Sequence, residues 1–316
     1  MTKVLPSGIY APLPTFFSGE DELDLESFAA HAKYVAGPGV MPVVSASVGE
    51  AVHLDRQERI ELIRALRTAL NDIGQSHVPI VAGTGAGSTR ETIRLSQDAA
   101  TAGADFALVV LPGYYAGMLK SHPTAIKDFF ISVAVASPIP VVIYNFPGVT
   151  SGVDLTSEDI ADIANASPNV SGVMLSCGSV GKVAKIAALV QNPSFTILAG
   201  FIDFLLPSIS VGAVGAISPV PNIAPNFTME FWRQSQSLES LADRQRAKHL
   251  QGQASFGEEA IFRTGVPGLK HFLNQKFGYP ANPRLPLPAM SNNASSNFSE
   301  NKYVKEIMAS EKALGL

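Results

Sequence analysis

The sequence predicts an α/β fold, a (β/α)8 TIM barrel with a C-terminal helical extension, on three observations. Short β-rich runs alternate with segments of helical spacing, eight times within about 240 residues, which is the strand count of such a barrel. Several runs, Val141-Val142-Ile143-Tyr144 among them, are apolar without alternation, as strands covered on both faces are. The length of 316 residues suits one barrel of about 250 residues plus an addition. Residues 1–233 are therefore assigned to the barrel, and 234–316 to a helical extension packed on it. A doubly wound open sheet is the rival architecture, but it would usually open with a glycine-rich first turn, and the sequence has none.

Strands are expected at residues 8–14, 41–45, 78–82, 106–111, 140–144, 170–175, 195–199 and 213–218. Between them, residues 54–59 open a helix with Ile60, Ile63, Leu66 and Leu70 on its apolar face. Ser88-Thr89-Arg90-Glu91 opens another with a capping-box pattern. Residues 156–166 and 180–190 are two more. Beyond Arg233 strand signals stop, and helices are expected at 240–256 and 266–277. The run from Pro280 to Met290 is too rich in proline for regular structure. Residues 291–300, rich in Ser and Asn, read as a flexible connection, and 302–314 as a last short helix.

Composition narrows the function classes. Hydrophobic residues make up 46% of the chain and charged ones 16%, so a large core can form. Net charge is −4 with no Lys/Arg cluster, which argues against a nucleic-acid partner. The one cysteine, Cys177, cannot form an internal disulfide and suits a reducing compartment. No apolar run reaches the ~18 residues that span a bilayer, and the opening MTKVLPSG lacks the apolar segment of a signal peptide. A cytoplasmic protein without membrane partner is expected. The six histidines show no ligand spacing, so no metal site is expected. Residues 83–87 are glycine-rich but lack a following Gly-Lys-Ser/Thr, and read as a tight rim turn rather than a phosphate loop; no cofactor is implied.

Barrel enzymes carry their chemistry just after each strand. After the second strand, Ser47-Val48-Gly49-Glu50 has the small residues that let backbone N–H groups approach a carboxylate; an ordinary capped turn reads equally well. After the fourth, Tyr114 and Tyr115 serve either as proton carriers or as rim aromatics against a neighbouring subunit. Tyr144, ending the fifth strand, is either an acid, base or hydrogen-bond donor to a carbonyl, or a structural tyrosine. Met174, in the sixth, reads as a core or pocket-lining side chain. Cys177 follows it with no histidine in a neighbouring strand-end motif to activate it. The eighth strand ends Gly215-Ala216-Ile217-Ser218-Pro219, a run that can supply backbone contacts.

Together these pieces resemble the dihydrodipicolinate synthase / N-acetylneuraminate lyase family of pyruvate-dependent class I aldolases. The resemblance runs from Gly8 to about Pro288. It is carried by Ser47-Val48-Gly49-Glu50, Gly83-Thr84-Gly85, Ala102-Gly103-Ala104-Asp105, Pro112 with Tyr114, Tyr144-Asn145-Phe146-Pro147, Gly212-Ala213 through Ser218, Leu269-Lys270 and Arg284-Leu285-Pro286-Leu287. Residues 175–182 look similar to fungal enzymes that cleave 3-deoxy-hexulosonates. The resemblance implies a small-molecule 2-keto acid as partner, pyruvate or a 2-keto-3-deoxy sugar acid. It implies a strand-six lysine that forms a Schiff base with the ketone, and Tyr144 as proton shuttle. Ser47, with the backbone of Val48 and Gly49, would hold the carboxylate, and Ile217 would pack beside the keto acid. Tyr114 or Tyr115 would enter across a subunit contact, in a homo-oligomer of dimers paired into tetramers.

Three positions depart from the family pattern. Met174 stands where the Schiff-base lysine belongs, and a thioether cannot form an imine. Val48 stands where many members carry a relay threonine, and Val149 where the synthases place an arginine for the second carboxylate. Three explanations stay open: an engineered knock-out of an aldolase, a natural keto-acid-binding or regulatory relative without catalysis, or chemistry that needs only the carboxylate pocket and Tyr144.

Overall fold

The computed structural model describes residues 3–290 and 298–315. Eight strands, β1 (Gly8–Pro12), β2 (Met41–Val44), β3 (Val81–Gly83), β4 (Phe106–Val110), β5 (Val141–Asn145), β6 (Val170–Leu175), β7 (Thr196–Ala199) and β8 (Gly215–Ile217), form a closed barrel in chain order, as the sequence predicts. Helices α1 (Leu25–Ala36), α2 (Arg56–Asp72), α3 (Thr89–Ala102), α4 (Ala116–Leu119), α5 (Pro123–Ala136), α6 (Ser157–Ala166), α7 (Val180–Leu189) and α8 (Leu205–Ile209) follow the strands in turn. Then come α9 (Pro225–Ser235), α10 (Leu241–Phe277) and α11 (Lys302–Leu314). Of the connection expected at 291–300, residues 291–297 lie outside the described residues. Among the described residues, no helix is long and apolar enough to cross a membrane.

β3 starts three residues later than its apolar run, the largest such delay among the strands. Pro79 has no N–H to give a ladder, and the Ile80 N–H is taken by the Asp105 carboxylate at 3.0 Å, so β3 begins at Val81 rather than Val78. The chain divides into two compact units, residues 1–8 with 79–217, and residues 9–78 with 218–316.

In the first unit, caps fix the helix starts. Ser88 accepts from the Glu91 N–H at 3.2 Å to open α3, and Thr156 with Asp159 forms a capping box at α6. Gly85 is required by close packing: a Cβ there would lie 2.8 Å from the Val110 nitrogen. Gly215 is tighter still. The Gly8 N–H donates to the Val214 carbonyl, and a Cβ on Gly215 would lie 1.9 Å from the Gly8 oxygen. Backbone cannot yield as a side chain can, so Gly215→Ala is expected to cost more than about 4 kcal/mol or to prevent folding. Gly87→Ala, with nothing within 4 Å of the added carbon, is the control. Urea midpoints of the two variants check this; equal midpoints would refute the close-approach reading.

In the second unit, Asp55 and Glu58 form the capping box of α2. The two helices expected at 240–256 and 266–277 both form within the segment α10, divided at Gly265 (φ 63°, ψ −161°) beside Pro267, the first running past 256 to that break. Gly257 continues the helix rather than ending it. A Cβ there would lie 2.2 Å from Ile307 Cδ1, so this glycine lets α10 approach α11, and beside it Phe256 stacks on Tyr303 at 4.0 Å.

The same unit encloses His31. Its Nε2 lies 2.9 Å from Asn222 Oδ1, and the Asn222 amide nitrogen donates to the Pro12 and Pro219 carbonyls, both at 3.0 Å. The amide oxygen therefore faces the ring, which makes Nε2 the donor and leaves Nδ1 bare, without a hydrogen-bond partner. The rings of Phe16, Tyr34, Phe277 and Tyr279 lie around it. Burial, with Lys276 nearby, lowers its pKa to about 4.

Candidate functional site

Strand register decides which side chains line the barrel. Val110, Tyr144, Met174 and Leu198 are register partners across β4, β5, β6 and β7, so their side chains leave the sheet on one face. One step earlier, Gly83 is level with Leu108, which places Thr84 level with Val109. The Thr84 hydroxyl accepts a hydrogen bond from Ser96 on α3 at 3.0 Å, so that level faces the helices. The row containing Tyr144 and Met174 therefore faces the barrel axis. Register between β7 and β8 puts Ile217, buried, on that inward face as well.

Met174 is 5% exposed, held between Tyr144 and Leu198. Beyond Tyr144 the rings of Phe146 and Phe201 continue an aromatic wall, with centroid separations of 5.6 and 6.0 Å. The residue after Tyr144 is fixed: Asn145 donates to Asp154 at 2.7 Å and accepts from the Leu155 N–H at 3.0 Å. Asp154 in turn pairs with Lys182, whose ammonium also donates to the Leu155 carbonyl at 2.6 Å. Lys120 donates to the Ser151 carbonyl at 3.2 Å, on the surface. None of the eight strands carries a lysine. Tyr114 (89% exposed) and Tyr115 lie edge to face on the rim after β4, and Val149 is exposed.

The second unit presents the loop after β2. Ser47 is exposed, Val48 half-buried and Gly49 buried. A Cβ on Gly49 would lie 2.9 Å from the Leu13 carbonyl oxygen, and the Gly49 carbonyl accepts from Thr15 at 2.8 Å. Ser45 and Glu50 bracket the loop, both left-handed with φ of 53°. Non-glycine residues hold that conformation at a cost of about 1–3 kcal/mol each, so surrounding contacts must enforce it.

Those contacts converge on Glu50, which the sequence reading missed. Its carboxylate accepts from Lys270 Nζ at 2.9 Å, from His53 Nδ1 at 3.0 Å and from the Arg284 backbone N–H at 2.9 Å. The Glu50 and Lys270 side chains are both 0% exposed. Lys270 also sits 4.6 Å from the Phe17 ring centroid. Burial pulls the Lys270 pKa down and the Glu50 charge opposes this, so the amine is tied into an ion pair rather than available as a nucleophile. The Arg284 guanidinium binds Glu58 and Asp21 and covers Phe17. The available signals were an acid directly after a motif glycine, and a lysine directly after the run Val266–Leu269.

Comparison with known proteins completes the picture. The model of the dihydrodipicolinate synthetase family matches residues 5–305. A relative from Emericella nidulans named "Probable 4-hydroxy-2-oxoglutarate aldolase, mitochondrial" is 39% identical over 94% of this chain and 94% of its own. An L-threo-3-deoxy-hexylosonate aldolase from Hypocrea jecorina is 35% identical over 98% of each chain. Among solved structures, a dihydrodipicolinate synthase family protein from Coccidioides immitis is 33% identical, with a TM-score of 0.86 over 99% of this chain and 100% of that one. A prophage protein from E. coli K12, solved with pyruvate, is 25% identical, with a TM-score of 0.80 over 98% of this chain and 99% of that one.

Proposed function

The chain belongs to the dihydrodipicolinate synthetase family, whose relatives here are aldolases and synthases, and from that premise we propose that it binds pyruvate or a 2-keto-3-deoxy sugar acid without forming a Schiff base. The observation that carries this is Met174, buried, facing the barrel axis and level with Tyr144; the resemblance is what puts the Schiff-base lysine at this position. A thioether has no amine to attack a ketone, and Lys182 and Lys270 are committed to carboxylates. In this reading Ser47 with the backbone of Val48 and Gly49 takes the keto-acid carboxylate. Tyr144 gives its hydroxyl to the ketone or the C4 hydroxyl, and Ile217 supplies an apolar wall. Val48 and Val149 supply neither the relay hydroxyl nor a guanidinium for a second carboxylate, which weighs against synthase activity.

The protein is then a keto-acid-binding or regulatory member of an aldolase family, acting in the cytoplasm as a dimer or tetramer in which Tyr114 or Tyr115, exposed on one chain, meets a second copy. Borohydride reduction with pyruvate should leave the intact mass of the chain unchanged, while calorimetry registers saturable pyruvate binding. A reduced adduct would overturn the loss of imine chemistry; the absence of any keto-acid binding would remove the ligand assignment.

A further inference from the structure

We infer that Glu50 and Lys270 are positioning residues for the carboxylate-binding loop, through the buried pair that joins the residue after Gly49 to α10. This rests on the reading that residues 47–49 take the keto-acid carboxylate. Two left-handed residues, Ser45 and Glu50, bracket those three positions. An unsupported loop would relax out of that conformation, since each such residue is disfavoured by its Cβ. The support is on the Glu50 side. Both its oxygens are engaged, Oε1 by Lys270 and Oε2 by His53 and the Arg284 N–H. Lys270 is delivered from 220 residues away, on the part of α10 beyond the break at Gly265, and is seated over the Phe17 ring. On the strand side, Thr15 fixes the Gly49 carbonyl and Leu13 excludes any side chain there. The backbone of Ser47 to Gly49 is thus clamped from two directions before any ligand arrives, and that preorganisation removes an ordering cost from binding.

The pair is a replaceable charge rather than a ligand contact, so it can be removed whole. Lys270→Met alone would leave a buried carboxylate without its cation and could unfold the chain. Glu50→Gln with Lys270→Met removes both charges while keeping shape, a change that cores commonly tolerate. The double variant is expected to fold, to show faster amide hydrogen exchange in residues 45–50 with exchange elsewhere unchanged, and to bind pyruvate at least about tenfold more weakly. Unchanged exchange in 45–50 would overturn the inference, as would faster exchange with unaltered pyruvate affinity. If the unaltered chain binds no keto acid, the proposed function falls, and the exchange measurement still decides whether the pair holds the loop. Should the double variant not fold, Glu50→Gln alone, which keeps one oxygen to accept from Lys270 and turns a non-accepting NH2 toward His53 and the Arg284 N–H, carries the same two measurements with the same expectations.

Discussion

Met174→Lys is expected to give the chain an imine-forming amine. The new side chain would occupy a site 5% exposed, level with Tyr144 and Leu198 and facing the barrel axis. Its stem matches the thioether in length, so the backbone need not move. Apolar neighbours desolvate the ammonium and lower its pKa, which raises the fraction of free amine at neutral pH. Treated with pyruvate and borohydride, the variant should gain the mass of one reduced pyruvyl group at position 174, and the parent none. Cleavage of a 3-deoxy-hexulosonate should rise at least about 10³-fold, the scale on which covalent nucleophiles act. Adding Val48→Thr should raise it further by supplying a relay hydroxyl. A folded Met174→Lys chain that traps no pyruvate would show that the inward face is not arranged for a keto acid.

The second large effect is on stability, and it comes from His31. Its folded pKa of about 4 lies below the ordinary 6.5. The unfolded chain therefore binds a proton between those values that the folded chain refuses, and stability rises with pH across that window. The contribution is fully present above pH 6.5 and is lost as pH falls toward 4. A shift of this size corresponds to about 3 kcal/mol. The groups facing the ring are Tyr34 on its own helix α1, Lys276 near the end of α10 and Tyr279 just beyond it. Tyr34 and Tyr279 have their pKa values raised by burial and stay neutral in this window, while burial pulls the Lys276 pKa down and its charge opposes a second positive charge on the ring. His31→Gln keeps a donor for Asn222 and cannot titrate, so its urea midpoint should fall less between pH 7 and pH 4 than that of the parent. Parallel pH profiles for the two proteins would exclude His31 as the source.

The fold was legible in the sequence because each strand carries its own signal. Runs such as those of β4 and β6 are apolar without alternation, which only two-sided burial explains. Caps were equally local: Ser88, Asp55 and Thr156 sit within three residues of the groups they bond. The misreadings came from partners at a distance. Pro79 and Asp105 delay β3, and Ile307 turns Gly257 from a helix end into a packing contact. At the candidate site, the motif Ser47-Val48-Gly49 was visible as a loop that can approach a carboxylate. The reason it holds its shape was not, because the cation that anchors Glu50 comes from α10. Orientation was also beyond local reading: that Met174 faces the axis follows only from register with neighbouring strands and from the Thr84–Ser96 hydrogen bond.

The second unit joins residues 9–78 to 218–316 and leaves the intervening stretch to the first. Arg284 and Lys270 belong to the later segment, while the acids they hold, Asp21, Glu50 and Glu58, belong to the earlier one. A crossover that exchanged only the amino-terminal third between two homologues would pair each acid with a base that evolved beside a different partner. Shuffling residues 1–8 together with the central block from Pro79 to Ile217 parts none of these ion pairs and keeps Gly8 against Gly215 and Lys3 with Asp105, which makes the borders of that unit the natural seams for hybrid genes.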